Sequence, residues 1–252
     1  MQKPYIFRIF IYPIKSLDPL EVESVKIIEN GSLEHDREFA FFDEEGKIVN
    51  AKKEKKFHLI RSFVDFENEI FKFKYRNEVW QFSFGEINKV NEFFSEIFGY
   101  KVFLKRNKEG GFPDDRKAHG PTIVSSATLR TVANWFDISE DEARKRFRAN
   151  IEIGNAPPFW EDSLVGKTFK IGNVVVEGAN VSKRCPVPTR NPETGEVIKD
   201  FVKKFIEFRK NSLSEFSPRE VFKDTFYRLC LNTNIPASEW GKEIRIGEEV
   251  KV

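Results

Sequence analysis

The first 85 residues form a succession of short apolar segments, each too brief for a core helix and each closed by turn formers. Residues 5–12 are β-branched and aromatic and stop at Pro13, and residues 20–28 stop before Asn30 and Gly31. Residues 38–43 and 47–49 flank Glu44, Glu45 and Gly46 as a hairpin. Residues 57–64, 70–75 and 79–84 continue the series, with a turn expected at Asn77 and Glu78. Strands this short and so closely spaced predict a small barrel or curled sheet. At Glu86 the period changes. Ile87, Val90, Phe93, Phe94, Ile97 and Phe98 recur at helical spacing, and Gly99 stands where a left-handed stop belongs.

Helices and strands then mix. Ser125 or Ser126 caps a helix running through Leu129, Val132, Ala133 and Phe136, and Ser139 with Glu142 forms a capping box for the next. Phe201, Phe205 and Phe208 mark a further amphipathic helix. Residues 169–177 read as a hairpin around Gly172 and Asn173, and residues 225–231 and 244–252 as closing strands. The expected fold class is mainly β with several helices (α+β), divided into residues 1–85 and 86–252.

With 27 Phe in 252 residues, the core must be aromatic-heavy. Lys and Arg total 42 against 40 Asp and Glu, a net charge of +2, which argues against a bulk nucleic-acid binder. An OB-like RNA-binding barrel is therefore the weaker alternative, because basic and aromatic residues are not interleaved on one strand. The balanced charge and the single Met fit a thermophile-like composition. No apolar run approaches a membrane span, and Met1 to Tyr5 lacks a signal-peptide pattern, so no membrane and a cytoplasmic location are expected. Cys185 and Cys230 are the two cysteines; a reduced pair is expected, and no CxxC offers a self-contained zinc or iron–sulfur site.

The chemistry concentrates in residues 182–195. Cys185 lies between Arg184 and Pro186, with Lys183 and Arg190 close in sequence. Pro186, Pro188 and Pro192 stiffen the segment into an irregular loop. Cations stabilise a thiolate. Such a thiolate suits attack on an electrophile or ligation of a soft metal, and a buried structural cysteine is the plain alternative. Groups suited to an oxyanion occur elsewhere: the alternating Arg144, Arg146 and Arg148, and the helix start at Ser125 and Ser126. The glycines and acids of residues 108–115 read as a surface excursion, and Lys52 to Lys56 as a solvated basic loop. His35, His58 and His119 read as loop or packing residues.

Several segments, in order, resemble the MOSC family, named after the C-terminal domain of molybdenum cofactor sulfurases. Ile11-Tyr12-Pro13-Ile14-Lys15-Ser16 resembles the opening of the N-terminal β-barrel domain that accompanies many MOSC domains, and Asp36-Arg37 its next landmark. Arg146-Phe147-Arg148-Ala149-Asn150-Ile151, the acidic pair Glu161-Asp162, and Arg184-Cys185 followed by Asn191-Pro192-Glu193-Thr194-Gly195 are similar to segments of the MOSC domain itself. The resemblance implies a barrel-like first domain packed on a MOSC β-barrel.

It also implies that Cys185 ligates the molybdenum of a pterin-bound cofactor (Mo-molybdopterin). Lys15, Ser16, Arg37, Ser125, Ser126, Arg148, Asn150 and Arg184 match positions that hold the pterin and its phosphate. Asn191 stands where the family usually has Asp, and Pro188 where it usually has Thr. Cys185 and Asn191 are thus the catalytic candidates. Similarity to the amidoxime-reducing branch implies an oxidoreductase that reduces N-hydroxylated small molecules, with electrons from a separate protein. The alternative is a carrier that delivers cofactor or sulfur to an acceptor protein without turnover. The family also carries a looser association with pyridoxal phosphate-binding proteins. Oligomeric state is not expressed in the sequence.

Overall fold

The computed structural model describes residues 3–115, 117–213 and 217–252. Its frame is an eight-stranded sheet that gathers strands from both ends of the chain. Across the sheet the order is Val250–Lys251, Thr168–Ile171, Val174–Lys183, Arg228–Asn234, Ile123–Ser125, Ile151–Gly154, Tyr5–Ile11 and Leu20–Val22. The pair Ile123–Ser125 and Ile151–Gly154 is parallel, and the other pairs in this sheet are antiparallel. A parallel pair needs a crossover connection, which two helices described below provide. The sheet's core is aliphatic: Ile6, Ile9, Ile151, Ile153, Val174 and Val176 are all fully buried.

The aromatic residues segregate into a second body. Phe39–Phe42 pairs with Ile48–Val49 and with Phe103–Arg106, while Ile60–Asp65, Ile70–Tyr75 and Glu78–Ser83 form a meander. Helix α1 (Ile87–Phe98) closes this body and stops at Gly99, whose φ of 83° is left-handed, as the sequence pattern predicts. Although α1 follows the expected boundary at residue 85, Val90, Phe94 and Phe98 pack in one cluster with Phe41, Phe57 and Phe73. The Phe41 and Phe94 rings approach to 4.2 Å and those of Phe73 and Phe94 to 4.9 Å. Such ring pairs add about 0.5–1.5 kcal/mol each beyond area burial.

Helices α2 (Ser126–Phe136) and α3 (Glu140–Phe147) make the crossover, and α4 (Phe201–Asn211) lies against them. Ser125 and Ser139 cap α2 and α3 by accepting from Thr128 N and Glu142 N. Leu129, Val132, Phe147, Phe201 and Phe205 form a third cluster, where aromatic rings again dominate. The chain is thus mainly β with four helices among the described residues. None of those helices is long and apolar enough to cross a membrane.

Candidate functional site

A cleft of about 950 Å³ opens between the aromatic body and one end of the large sheet. That volume is typical of a small-molecule or cofactor site. Its walls come from residues 15–19, 32–37, 50–61, 110–115, 118–122, 145–150, 180–192 and 220–232, so no local stretch of sequence contains it.

One wall is a knot of backbone bonds at the end of strand Tyr5–Ile11. Arg37 N donates to Tyr12 O at 2.8 Å, Phe39 N to Pro13 O at 2.9 Å, and Lys15 N to Phe39 O at 2.8 Å. Ser16, Arg37 and Arg148 all adopt left-handed backbone, with φ of 76°, 54° and 54°. Residues with a Cβ hold that conformation only where the surroundings enforce it, and such residues cluster at functional sites. Tyr12 lies between two cations. The Arg148 guanidinium carbon stands 4.1 Å from its ring centroid and that of Arg37 5.2 Å. Burial pushes the Tyr12 phenol up to about 12, so it stays protonated and donates to Ala149 O at 3.2 Å.

The two arginines differ in partners. Arg37 is paired with the neighbouring Asp36. Arg148 donates to Leu17 O at 2.7 Å and meets no carboxylate at ion-pairing distance among the described residues; burial pushes its charged form down. A half-buried cation satisfied by one carbonyl and one ring favours an incoming anion. Lys15 is only 6% exposed, and its ammonium donates to Phe112 O at 2.8 Å and to Asp114 Oδ1 at 2.9 Å. Ser16 Oγ accepts from Ala51 N at 3.0 Å and holds the next loop in place.

The opposite wall carries the thiol. Cys185 is partly buried and lines the cleft, and its carbonyl accepts from Tyr227 Oη at 3.2 Å. The loop is internally fastened: Thr189 N donates to Pro186 O at 3.1 Å and Arg190 N to Val187 O at 3.0 Å. Arg184 donates to Phe147 O at 2.6 Å and Ser182 Oγ at 3.4 Å, while its buried Nε has no hydrogen-bond partner among the described residues. Among those residues, no group of three or more His, Cys, Asp or Glu is placed to hold a metal ion, so Cys185 stands as an isolated soft donor.

Of the ten residues singled out from the sequence, Lys15, Ser16, Arg37, Arg148, Asn150, Arg184 and Cys185 line this one cleft. Asn150 does so as a strut: its Oδ1 accepts from Thr122 N and Thr122 Oγ1, and its Nδ2 donates to Phe10 O at 3.0 Å. Ser125, Ser126 and Asn191 do not line it. Thr122 lies on the cleft, and Ser125 is three residues further along the strand, about 10 Å at the usual rise. Ser125 is fully buried there, where its hydroxyl contacts Thr128 Oγ1 and donates to Pro157 O. Ser126 begins α2 at the same far end. Asn191 Oδ1 accepts from Glu193 N at 2.9 Å and Thr194 N at 3.0 Å, so it closes its own turn rather than facing Cys185.

The alternating arginines also separate. Arg144 pairs with Glu152 at 2.6 Å, and Arg146 pairs with Glu142 at 2.5 Å and donates to Pro188 O, bracing the thiol loop. Only Arg148 of the three is left for a ligand. Among the cleft residues that the sequence reading passed over are Lys52 and Asp114, both in stretches that resemble solvated loops, and His58. Burial, then Arg190 and Arg148, pushes the His58 imidazole down to about 4, so it is neutral at pH 7. Its buried Nε2 has no hydrogen-bond partner among the described residues.

The acidic pair lies behind the cleft in the core. Glu161 and Asp162 are each 1% exposed. Asp162 pairs with Arg209 and accepts from Ser217 Oγ at 2.7 Å, and Glu161 Oε2 accepts from Thr128 Oγ1 at 3.1 Å. Burial, then the neighbouring Asp162, pushes the Glu161 carboxyl up to about 7 from its ordinary 4.5. The folded chain therefore keeps a proton that the unfolded chain releases, and stability falls as pH rises from 4.5 through 7. Glu161→Gln removes this titration. It is expected to stabilise the protein by less than about 1 kcal/mol at pH 5 and by roughly 3 kcal/mol at pH 8, read by urea unfolding. Equal effects at both pH values would contradict the assignment.

Comparison with known proteins bears on the same landmarks. Residues 3–100 match the family model of the MOSC N-terminal beta barrel domain, and residues 116–251 that of the MOSC domain. The molybdenum cofactor sulfurase of Arabidopsis thaliana is 23% identical over 246 residues, covering 77% of this chain and 30% of the relative. That of Caenorhabditis briggsae is 31% identical over 74 residues, covering 29% of this chain and 10% of the relative. The chain thus spans under a third of the curated relatives it matches. Among solved structures, the YUAD protein from Bacillus subtilis is 11% identical, with 99% of this chain and 94% of that one covered at a TM-score of 0.38.

Proposed function

The chain belongs to the MOSC domain family, and on that premise we propose that it binds a molybdenum–pterin cofactor in the cleft, with Cys185 as the protein's ligand to the metal. One observation carries this reading: a partly buried thiol shares a single cleft with Lys15, Arg37, Arg148 and Arg184, brought together from four distant segments. A structural cysteine has no need of that company, and a free nucleophile would be served by one neighbouring cation. The unpartnered Nε of Arg184 and the carboxylate-free Arg148 fit a large anion, and a thiolate fits a soft metal.

In this reading Arg37, Arg148 and Lys15 hold the anionic end, Tyr12 keeps the two guanidinium groups apart and oriented, and the proline loop fixes Cys185. When bound, the cofactor would supply the redox chemistry. The activity we assign is reduction of N-hydroxylated compounds with electrons from a separate protein. A proton donor for that chemistry would not be Asn191, whose amide oxygen is committed to its turn. A second reading, delivery of cofactor or sulfur to an acceptor protein, draws support from the names of the curated relatives, both molybdenum cofactor sulfurases.

The protein made in a host that synthesises the cofactor should carry about one molybdenum per chain by elemental analysis, as a single-thiolate site requires. Mixed in stopped flow with a hydroxylamine or amidoxime, the dithionite-reduced holoprotein should reoxidise faster than it does in buffer. A metal-loaded protein with no such acceleration would favour the carrier; a metal-free one would sink the reductase and cofactor-carrier readings and leave sulfur delivery alone.

A further inference from the structure

We propose that Asp114 is a resident counter-ion of the cleft, which an incoming ligand anion must displace and which thereby selects for multiply charged anions. The inference deepens the cofactor reading and rests on it only in requiring that the cleft take an anion. Asp114 is 54% exposed at its side chain, yet it stands over three cations. Its Oδ1 is 2.9 Å from Lys15 Nζ and 3.6 Å from Lys52 Nζ, and its Oδ2 is 3.9 Å from Arg37 Nε.

The three cations come from separate segments, and Lys15 and Arg37 are each held by contacts other than Asp114. Lys15 is buried and fixed by Phe112 O, and Arg37 is fixed by its backbone bond to Tyr12 O and its pair with Asp36. Asp114 itself belongs to the irregular segment that follows Arg106. Burial opposes the charged carboxylate, but Lys15 and Arg37 outweigh it and hold Asp114 well below the ordinary carboxylate range. It is therefore ionised throughout the neutral range and acts as an anion already in place.

The consequence is an exchange rather than a simple addition. A monoanion that replaces the Asp114 carboxylate swaps one charge for another and gains little. A dianion or higher, such as a phosphate monoester, places more charge on the same three cations than the carboxylate it evicts. An exposed carboxylate competes only modestly, because solvent screens its attraction for the cations.

The test is isothermal titration of the metal-free full chain with inorganic pyrophosphate. Asp114→Asn should bind it roughly two- to fivefold more tightly than the unaltered protein, the worth of one solvent-exposed competing charge. Asp114→Glu, which restores a carboxylate, should return affinity to the unaltered level. Glu44→Gln, which removes one negative charge outside the cleft, should leave it unchanged. Unchanged or weaker binding by Asp114→Asn would overturn the proposal, as would equal tightening by Glu44→Gln or an absence of binding by every variant. The titration involves no molybdenum, so its failure is separate from a failure of the metal analysis.

Discussion

Cys185→Ser is expected to leave the protein folded but without molybdenum, taking the metal from about one per chain to below about a tenth in the same cofactor-producing host. A serine hydroxyl is a hard donor that stays protonated near neutral pH, so it cannot replace a thiolate on a soft centre. The fold should tolerate the change. The loop's shape is set by backbone bonds and by Arg146 donating to Pro188 O, none of which uses the thiol. The melting temperature of the metal-free forms should therefore agree to within about 2 °C, as for a substitution away from the core. Cys230→Ala supplies the comparison. Cys230 is 1% exposed and left-handed at φ 68°, and burial pushes its thiol up to about 12. It is protonated, enclosed and absent from the cleft lining, so its replacement should leave metal content unchanged. Full metal in Cys185→Ser, or its loss in Cys230→Ala, would remove Cys185 from the role of ligand.

The contrast between the two cysteines shows how far local sequence reaches. Cys185 among prolines and cations and Cys230 within an apolar strand differ by immediate context, and the structure keeps that difference. Strand and helix periods are local as well, so the helix at 87–98 and the hairpin at Gly172 are legible. Pairing is not. Residues 20–28 read as one strand, but the chain breaks at Glu23: Leu20–Val22 joins the large sheet and Ser24–Lys26 pairs with Glu243–Arg245. Tyr5–Ile11 reads as a strand, yet nothing near it announces a partner at Ile151–Gly154. The expected strand at 57–64 opens instead as a 3₁₀ turn over Lys55–Leu59, capped by Glu54 accepting from Lys56 N.

The same limit governs the cleft. Ser125 and Arg148 look equally suited to an anion in sequence, but the parallel pairing of their strands fixes their places. Ser125 ends Ile123–Ser125 level with Ile153, while Arg148 precedes Ile151–Gly154 at the opposite end. Arg144, Arg146 and Arg148 alternate in sequence, but the first two lie in α3, where about 100° per residue sends them to different neighbours, and Arg148 follows the helix end in left-handed backbone. Lys52 and Asp114 acquire a role only because two loops meet over Lys15, a tertiary event without a local signature.

One core residue is marked by a misfit that the sequence reading did not use. Phe201, Phe205 and residue 209 follow one another at four-residue steps, so Arg209 occupies an apolar stripe and must be buried with a partner. The structure supplies it from the acidic pair. Arg209 is fully buried and pairs with Asp162, and its guanidinium carbon lies 4.1 Å from the Phe159 ring centroid and 4.8 Å from that of Phe222. Arg209→Leu is expected to destabilise the protein by about 3–5 kcal/mol, the usual cost of stranding one member of a buried pair. The cost should lie mainly in the abandoned charge. Asp162 would keep Ser217 Oγ as a donor but would lose its cation in the interior. Adding Asp162→Asn to Arg209→Leu should therefore recover about 1–2 kcal/mol by replacing an ion with a neutral amide. Urea unfolding of the four proteins in the double-mutant cycle measures this directly. If the second substitution costs further stability instead, the pair is held by packing around the arginine and the buried charge is not what Arg209 neutralises.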